Sequence, residues 1–122
     1  MKPLKVLVIE NEDVICNACR LVLAEKGHEV DISNTGKSGL IAVSRNGYDL
    51  VLLDIKLPDM DGMDILKILK ENVPTLRVIV MTGYATLSNA VQAMKLGATE
   101  YLPKPFTDDE LVAAVEKACE GL

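Results

Sequence analysis

Glu10-Asn11-Glu12, Asp54, Thr82 and Lys104 each stand at or just beyond a short run of aliphatic residues, and their types suit phosphoryl chemistry. Carboxylates clustered with carbonyl oxygens favour Mg2+, a hard octahedral cation that keeps several waters and takes one or two protein carboxylates. An ammonium and a hydroxyl beside such a cation can hold the oxygens of a phosphoryl group, whose transfer depends mainly on positioning and charge neutralisation. A carboxylate aimed at the phosphorus can act as nucleophile and form an acyl phosphate. Asp54, at the end of what reads as a buried central strand, is the candidate nucleophile. Each residue alone has a plainer reading as a helix cap or strand terminator, since Asx and Glu are common at helix starts. A carboxylate, a hydroxyl and an ammonium at successive strand ends are harder to explain that way.

These groups meet only if the elements carrying them end on one edge. Short β-branched runs alternate five times with helix-period segments, the pattern of a parallel sheet covered by helices on both faces. Strands are expected at Lys5–Ile9, Glu29–Ser33, 50–53, 77–81 and 99–102. The first, third and fourth are nearly continuous apolar runs and should be central. Ligands of such sheets bind outside the carboxyl ends of the strands, where strand order reverses. Gly27, Gly47 and Gly97 each follow an apolar-periodic segment and precede a strand, which predicts left-handed helix C-caps. Thr107-Asp108-Asp109-Glu110 reads as a capping box. Leu87, Ala90, Val91 and Met94, and likewise Leu111, Val115 and Ala118, recur at helical spacing and are expected to pack in the core. Residues 56–62, KLPDMDG, form the longest polar connection, tightened by Pro58 and Gly62.

Composition narrows the functions available. With 122 residues, 49% hydrophobic and 25% charged, the chain is expected to fold as one domain, 1–122, without disulfide or metal staples. Its four rings are Tyr48, Tyr84, Tyr101 and Phe106, so the core must be aliphatic and a base-stacking platform is disfavoured. A net charge of −5 with no basic cluster argues against direct nucleic-acid binding. No apolar run approaches the roughly 20 residues that span a bilayer, and the acidic N-terminal stretch is unlike a signal peptide. No membrane association is expected, and the location read from this is cytoplasmic. Cys16 and Cys19 have redox-motif spacing but sit in a helical pattern without a second ligand pair, so they and Cys119 are expected as packed thiols. His28, with no partner motif, is expected at the surface.

The segments VLVIENE, VLLDIKLPDMDG, VIVMTGYAT and YLPKPF, in this order, resemble the receiver domain of bacterial two-component response regulators. The likeness runs from Val6 to the last helix. The stretch MTGYATLSNAVQAMKLGATEYLPKPF is similar to receivers of nitrogen-regulation-type enhancer-binding activators, which points to transcription regulation. The resemblance implies an α/β, doubly wound, flavodoxin-like fold with five parallel strands in the order 2-1-3-4-5 and five helices. It implies that Asp54 takes a phosphoryl group from a sensor histidine kinase or a phosphotransfer protein. Glu10, Asn11, Asp54 and the main-chain carbonyl of Lys56 would hold Mg2+. Lys104 would pair with the phosphoryl oxygens, and its bond to Pro105 would be cis. Thr82 would donate its hydroxyl, and Tyr101 would change rotamer with it, coupling the site to the face of the fourth helix, fifth strand and fifth helix. Lys56 and Tyr84 match positions that modulate water access and phosphoryl lifetime. Such a domain is a phosphorylation-controlled switch rather than an enzyme: it phosphorylates and dephosphorylates only itself. Its partners would include an effector domain or output protein, and a second copy on phosphorylation.

One departure stands out. Where the family usually has two acids, this chain has Glu10-Asn11, so Mg2+ should bind more weakly unless the longer Glu10 side chain reaches the metal. Asn11 also leaves room for a receiver-like module that docks its partner without phosphate. An enzyme of the same architecture fits less well. An aspartyl-phosphate phosphatase wants a second Asp where Lys56 stands, ENEDVIC is no flavodoxin phosphate loop, and no Walker pattern occurs. Ending just after the fifth helical segment, the chain reads either as a complete regulator or as the front of a longer protein.

Overall fold

Continuous aliphatic runs, bounded by glycine and polar turns, alternate with amphipathic segments, and the computed structural model, which describes residues 2–122, converts them into five strands and five helices. In chain order these are β1 (Lys5–Ile9), α1 (Asp13–Glu25), β2 (Glu29–Ser33), α2 (Gly36–Arg45), β3 (Leu50–Asp54), α3 (Gly62–Asn72), β4 (Arg77–Thr82), α4 (Leu87–Lys95), β5 (Glu100–Pro103) and α5 (Asp108–Ala118). The strands form one parallel sheet in the order β2-β1-β3-β4-β5. Strand order therefore reverses between β1 and β3, and the crevice beyond their carboxyl ends is where a ligand can enter. Among the described residues no helix is long and apolar enough to cross a membrane.

Side-chain alternation along the central strands divides the core in two. Val6, Val8, Leu50, Leu52, Ile79 and Met81 face α1 and α5, where Cys16, Cys19, Leu23, Leu111 and Val115 meet them. Leu7, Ile9, Val51, Leu53, Val78 and Val80 face α2, α3 and α4. Every residue of β3 is buried. This strand and β4 run one residue further than expected, because the ladder continues through Asp54 opposite Met81 and Thr82 opposite Pro103. The two reactive candidates are thus held by the sheet itself rather than by loops.

Several expectations need correction. Gly27 and Gly97 are left-handed C-caps, with φ of 90° and 102°, but Gly47 is not. Helix α2 ends on an extended Asn46, whose side-chain amide donates to the carbonyl of Ala42 and satisfies the helix end without a left-handed turn. The α5 stripe is buried as expected, whereas Leu87, Val91 and Met94 are 82%, 43% and 49% exposed. Helix α4 rests on the sheet side through Ala93, and at 3.6 residues per turn its apolar stripe is rotated roughly 120° from that contact. His28 is buried rather than superficial: its Nδ1 accepts the Leu4 amide at 3.0 Å, and burial lowers its pKa. The thiols are packed as expected. Burial raises Cys16 to about 11 and Cys19 to about 12, far from the range of a reactive pair.

Candidate functional site

Beyond β1 the chain turns into α1 over a buried glutamate. Glu10 is fully buried, and its Oε2 accepts the amides of Asn11 and Glu12 at 2.9 and 3.1 Å. Its own backbone is anchored across the sheet: its amide donates to Ser33, and its carbonyl accepts from the Asn34 side chain and the Cys16 thiol. With its main chain fixed and one oxygen tied to the start of the helix, Glu10 directs Oε1 at the ammonium of Lys104.

Lys104 gathers the acids of the site. It leaves β5 with its amide on the carbonyl of Thr82, at 2.8 Å, and the peptide bond to Pro105 is cis. Its ammonium lies 3.5 Å from Asp54 Oδ2 and 3.4 Å from Glu12 Oε1, besides its contact with Glu10. Burial works against this charge, but the hydrogen bond with Glu10 and the nearby Asp54, Glu10 and Glu12 charges outweigh it and hold its pKa above the ordinary value.

Asp54 experiences the opposite balance. Burial first, and then the neighbouring Glu10 charge, push its carboxyl up to about 6, only partly offset by Lys104 and by the Lys56 amide 3.3 Å from Oδ1. Thr82 is buried, and its hydroxyl oxygen accepts the Tyr84 amide at 2.9 Å. Tyr101 pairs in register with Val80, and Thr82 lies two residues further along the same side of the sheet. The Tyr101 ring packs into the core under α2, α3 and α4, and its hydroxyl is buried without a hydrogen-bond partner among the described residues.

The loop after β3 closes the other side. Gly62 starts α3 so close beneath the strand that a Cβ would stand 2.4 Å from the Asp54 carbonyl oxygen and 2.5 Å from Ile55 Cα. Only glycine permits this approach. Lys56 extends its ammonium over the exposed ring of Tyr84, 4.8 Å from the centroid, which lays a cation–π contact across the mouth of a cavity of about 160 Å³ above Asp54.

The donor set has one chemical character. Glu10, Glu12 and Asp54 each offer an oxygen within 4.8 Å of the others, and Asn11, Lys56 and Lys104 line or border the same space. Oxygen donors alone fit a hard cation of the Mg2+ type. The nearby Cys16 thiol is held protonated and turned to the Glu10 carbonyl, which removes the soft alternative. Glu12 stands beside the expected holders Glu10, Asn11, Asp54 and Lys56, and its place two residues after Glu10 is the signal in the chain that marks it. Asn34, which holds the Glu10 carbonyl from the β2 end, carried no such signal.

Comparison with known proteins agrees with this geometry. The profile of the response regulator receiver domain matches residues 6–116. The transcriptional regulatory protein ZraR of Escherichia coli K12 is 37% identical over 113 residues, which cover 93% of this chain and 26% of that protein. The DNA-binding transcriptional regulator NtrC of Proteus hauseri is 51% identical over 79 residues, covering 65% of this chain and 17% of that protein. A CheY-like receiver domain protein from Methanospirillum hungatei superposes with a TM-score of 0.93 at 30% identity, over 98% of this chain and 95% of that one. NtrX from Brucella abortus gives 0.92 at 31% identity, over 98% of this chain and 27% of that one. The chain spans about a quarter of the length of ZraR.

Proposed function

We propose a function from the premise that this chain belongs to the response regulator receiver domain family: Asp54 accepts a phosphoryl group from a phosphohistidine donor, and the acyl phosphate shifts a two-state equilibrium in the domain. The observation that carries this reading is the buried Asp54 carboxyl group lying 3.5 Å from the Lys104 ammonium inside a cluster of acidic oxygens. An oxygen of Asp54 attacks the phosphorus, the P–N bond to the donor imidazole breaks, and the imidazole leaves with the electron pair and takes up a proton. Mg2+, when bound, would neutralise charge on the phosphoryl oxygens, with Glu10, Asn11, Asp54 and the Lys56 carbonyl as its holders and Glu12 as a further carboxylate in reach. Lys104 turns from the carboxylates to a phosphoryl oxygen. Thr82 gives its hydroxyl hydrogen to another oxygen, and Tyr101 follows it, biasing the face of α4, β5 and α5.

On this reading residues 1–122 are a regulatory receiver domain without turnover of an external substrate. It works in the cytoplasm with a sensor histidine kinase or phosphotransfer protein on one side. An effector domain, an output protein or a second copy answers on the other. The exposed Leu87, Val91 and Met94 stripe on α4 supplies an apolar surface for that output. The test is intact mass after treatment with acetyl phosphate and Mg2+. One phosphoryl adduct in the wild type, absent in Asp54→Asn, is expected. A wild type that stays unmodified points instead to a module that docks without phosphate.

A further inference from the structure

The loop of residues 55–62 carries two groups that face the site, the main chain of Lys56 and its ammonium over Tyr84. From the inside the loop is held by Gly62, whose amide donates to the Ile55 carbonyl at 2.8 Å, and across its neck by the bridge between Lys56 and Asp61. Its outer part has no such support. The main chain of residues 57–60 makes no hydrogen bond to the sheet or the helices among the described residues.

Leu57 and Met60 pack the outer part against the core, and one side chain gives it its polar anchor. Asp59 Oδ1 accepts the Gly36 amide at 2.8 Å and Oδ2 accepts the Lys37 amide at 3.0 Å, so one carboxylate spans the first two amides of α2. These bonds, that of Lys37 first, hold the Asp59 carboxyl below its ordinary pKa. The helix has its own cap as well. Thr35 and Ser38 form a reciprocal capping box on different amides, so Asp59 is not needed merely to finish the helix. Gly36 is what lets the loop come this close. A Cβ there would meet Ile65 Cδ1 at 2.6 Å and Met60 Cβ at 3.1 Å.

We propose that Asp59 is a positioning residue for the phosphorylation site, clamping the β3–α3 loop to the start of α2 and thereby setting where the Lys56 carbonyl and ammonium stand relative to Asp54. The proposal rests on the reading of Asp54 and its neighbours as a metal-dependent phosphorylation site. A charge-assisted bidentate contact is a stiff tether, and residues that orient a metal ligand from outside commonly matter about tenfold in affinity.

Four proteins test it: wild type, Asp59→Ala, Asp59→Asn and Thr35→Ala. Each is measured by urea unfolding, by Mg2+ titration followed through NMR shifts, and by backbone 15N relaxation order parameters at residues 56, 57, 59 and 60. Asp59→Ala is expected to bind Mg2+ about tenfold more weakly and to lower the order parameters of those residues. Asp59→Asn, which keeps one acceptor, should recover part of both. Thr35→Ala, which weakens the same helix end without touching the loop, should lose stability and keep its Mg2+ affinity. Equal Mg2+ affinity in Asp59→Ala and Thr35→Ala overturns the proposal. A wild type that binds no Mg2+ refutes the metal reading of the site, and the relaxation data then decide the clamp alone. Lower order parameters at residues 56–60 in Asp59→Ala but not in Thr35→Ala uphold it, and unchanged ones overturn it.

Discussion

Asp54→Asn should stabilise the metal-free protein. The carboxyl rises from 3.8 to about 6 because burial and Glu10 disfavour its charge more than Lys104 favours it. A folded pKa above the unfolded one means that folding is most favourable where Asp54 is protonated in both states. That contribution is fully present below pH 3.8 and is lost as pH rises through about 6. At pH 7.5 the loss approaches the whole shift, about 3 kcal/mol at 1.36 kcal/mol per unit. Near pH 5 it is about half of that, and near pH 3 it vanishes. Asparagine keeps the size and the carbonyl that accepts the Lys56 amide but carries no charge, while Lys104 keeps Glu10 as its partner. Urea unfolding of both proteins in EDTA, at pH 7.5 and at pH 5, gives the difference directly. His28 adds a pH dependence of its own: its neutral ring accepts the Leu4 amide, and burial lowers its pKa, so stability falls with falling pH. Both proteins share it, so it cancels. Mg2+ should then narrow the gap at pH 7.5 by stabilising the wild type more than the variant. A variant less stable than wild type at pH 7.5, or a gap that does not shrink at pH 5, would refute the reasoning.

Asn11→Asp restores an acid at the rim and should lower the Mg2+ concentration that half-saturates phosphorylation by acetyl phosphate, whereas Glu12→Gln should raise it; equal requirements in all three proteins count against the charge argument. Lys56→Asn with Tyr84→Glu removes the cation–π contact over the Asp54 cavity and should speed loss of the phosphoryl group several-fold, read as the decay of the adduct by intact mass. Gly62→Ala forces a methyl against the Asp54 carbonyl and Ile55 Cα, and should cost about 1–3 kcal/mol in urea unfolding and slow phosphorylation as well. Iodoacetamide at neutral pH should leave Cys16 and Cys19 unmodified until the protein unfolds, since burial holds both thiols protonated.

What could be read along the chain was whatever the chemistry of consecutive residues determines. Aliphatic runs such as residues 50–53 have only a doubly covered strand to go to, and the groups that follow them must then share one edge of a parallel sheet. Asp54, Thr82 and Lys104 were legible for that reason, and the capping box at Thr107 because it is local. The misses depend on contacts between distant residues. Leu87, Val91 and Met94 have the spacing of a core stripe, but which side of α4 meets the sheet depends on how the helix is seated, and Ala93 takes that contact. His28 looks isolated until the Leu4 amide, 24 residues away, arrives at its Nδ1. Asp59 reads as a loop residue because its two partners lie on another helix.

The same distinction explains the cost of the site. Sequence places Glu10 and Asp54 at neighbouring strand ends, and the fold then buries both within reach of one ammonium. One positive charge cannot satisfy two buried acids and the exposed Glu12 together, which is why Asp54 is left with a raised pKa while Lys104 is held charged. A bound cation would relieve repulsion already present in the folded chain, and a phosphoryl group on Asp54 would add negative charge that the cation and Lys104 then have to balance. Asn11 reduces that repulsion by one charge. It should make the resting domain more stable and the metal-bound one less so, two effects of opposite sign that Asn11→Asp exchanges in a single substitution. Unfolding of that variant with and without Mg2+ separates them. Lower stability than wild type in EDTA and a larger gain on adding Mg2+ are expected, and a change of the same sign in both conditions would rule this balance out.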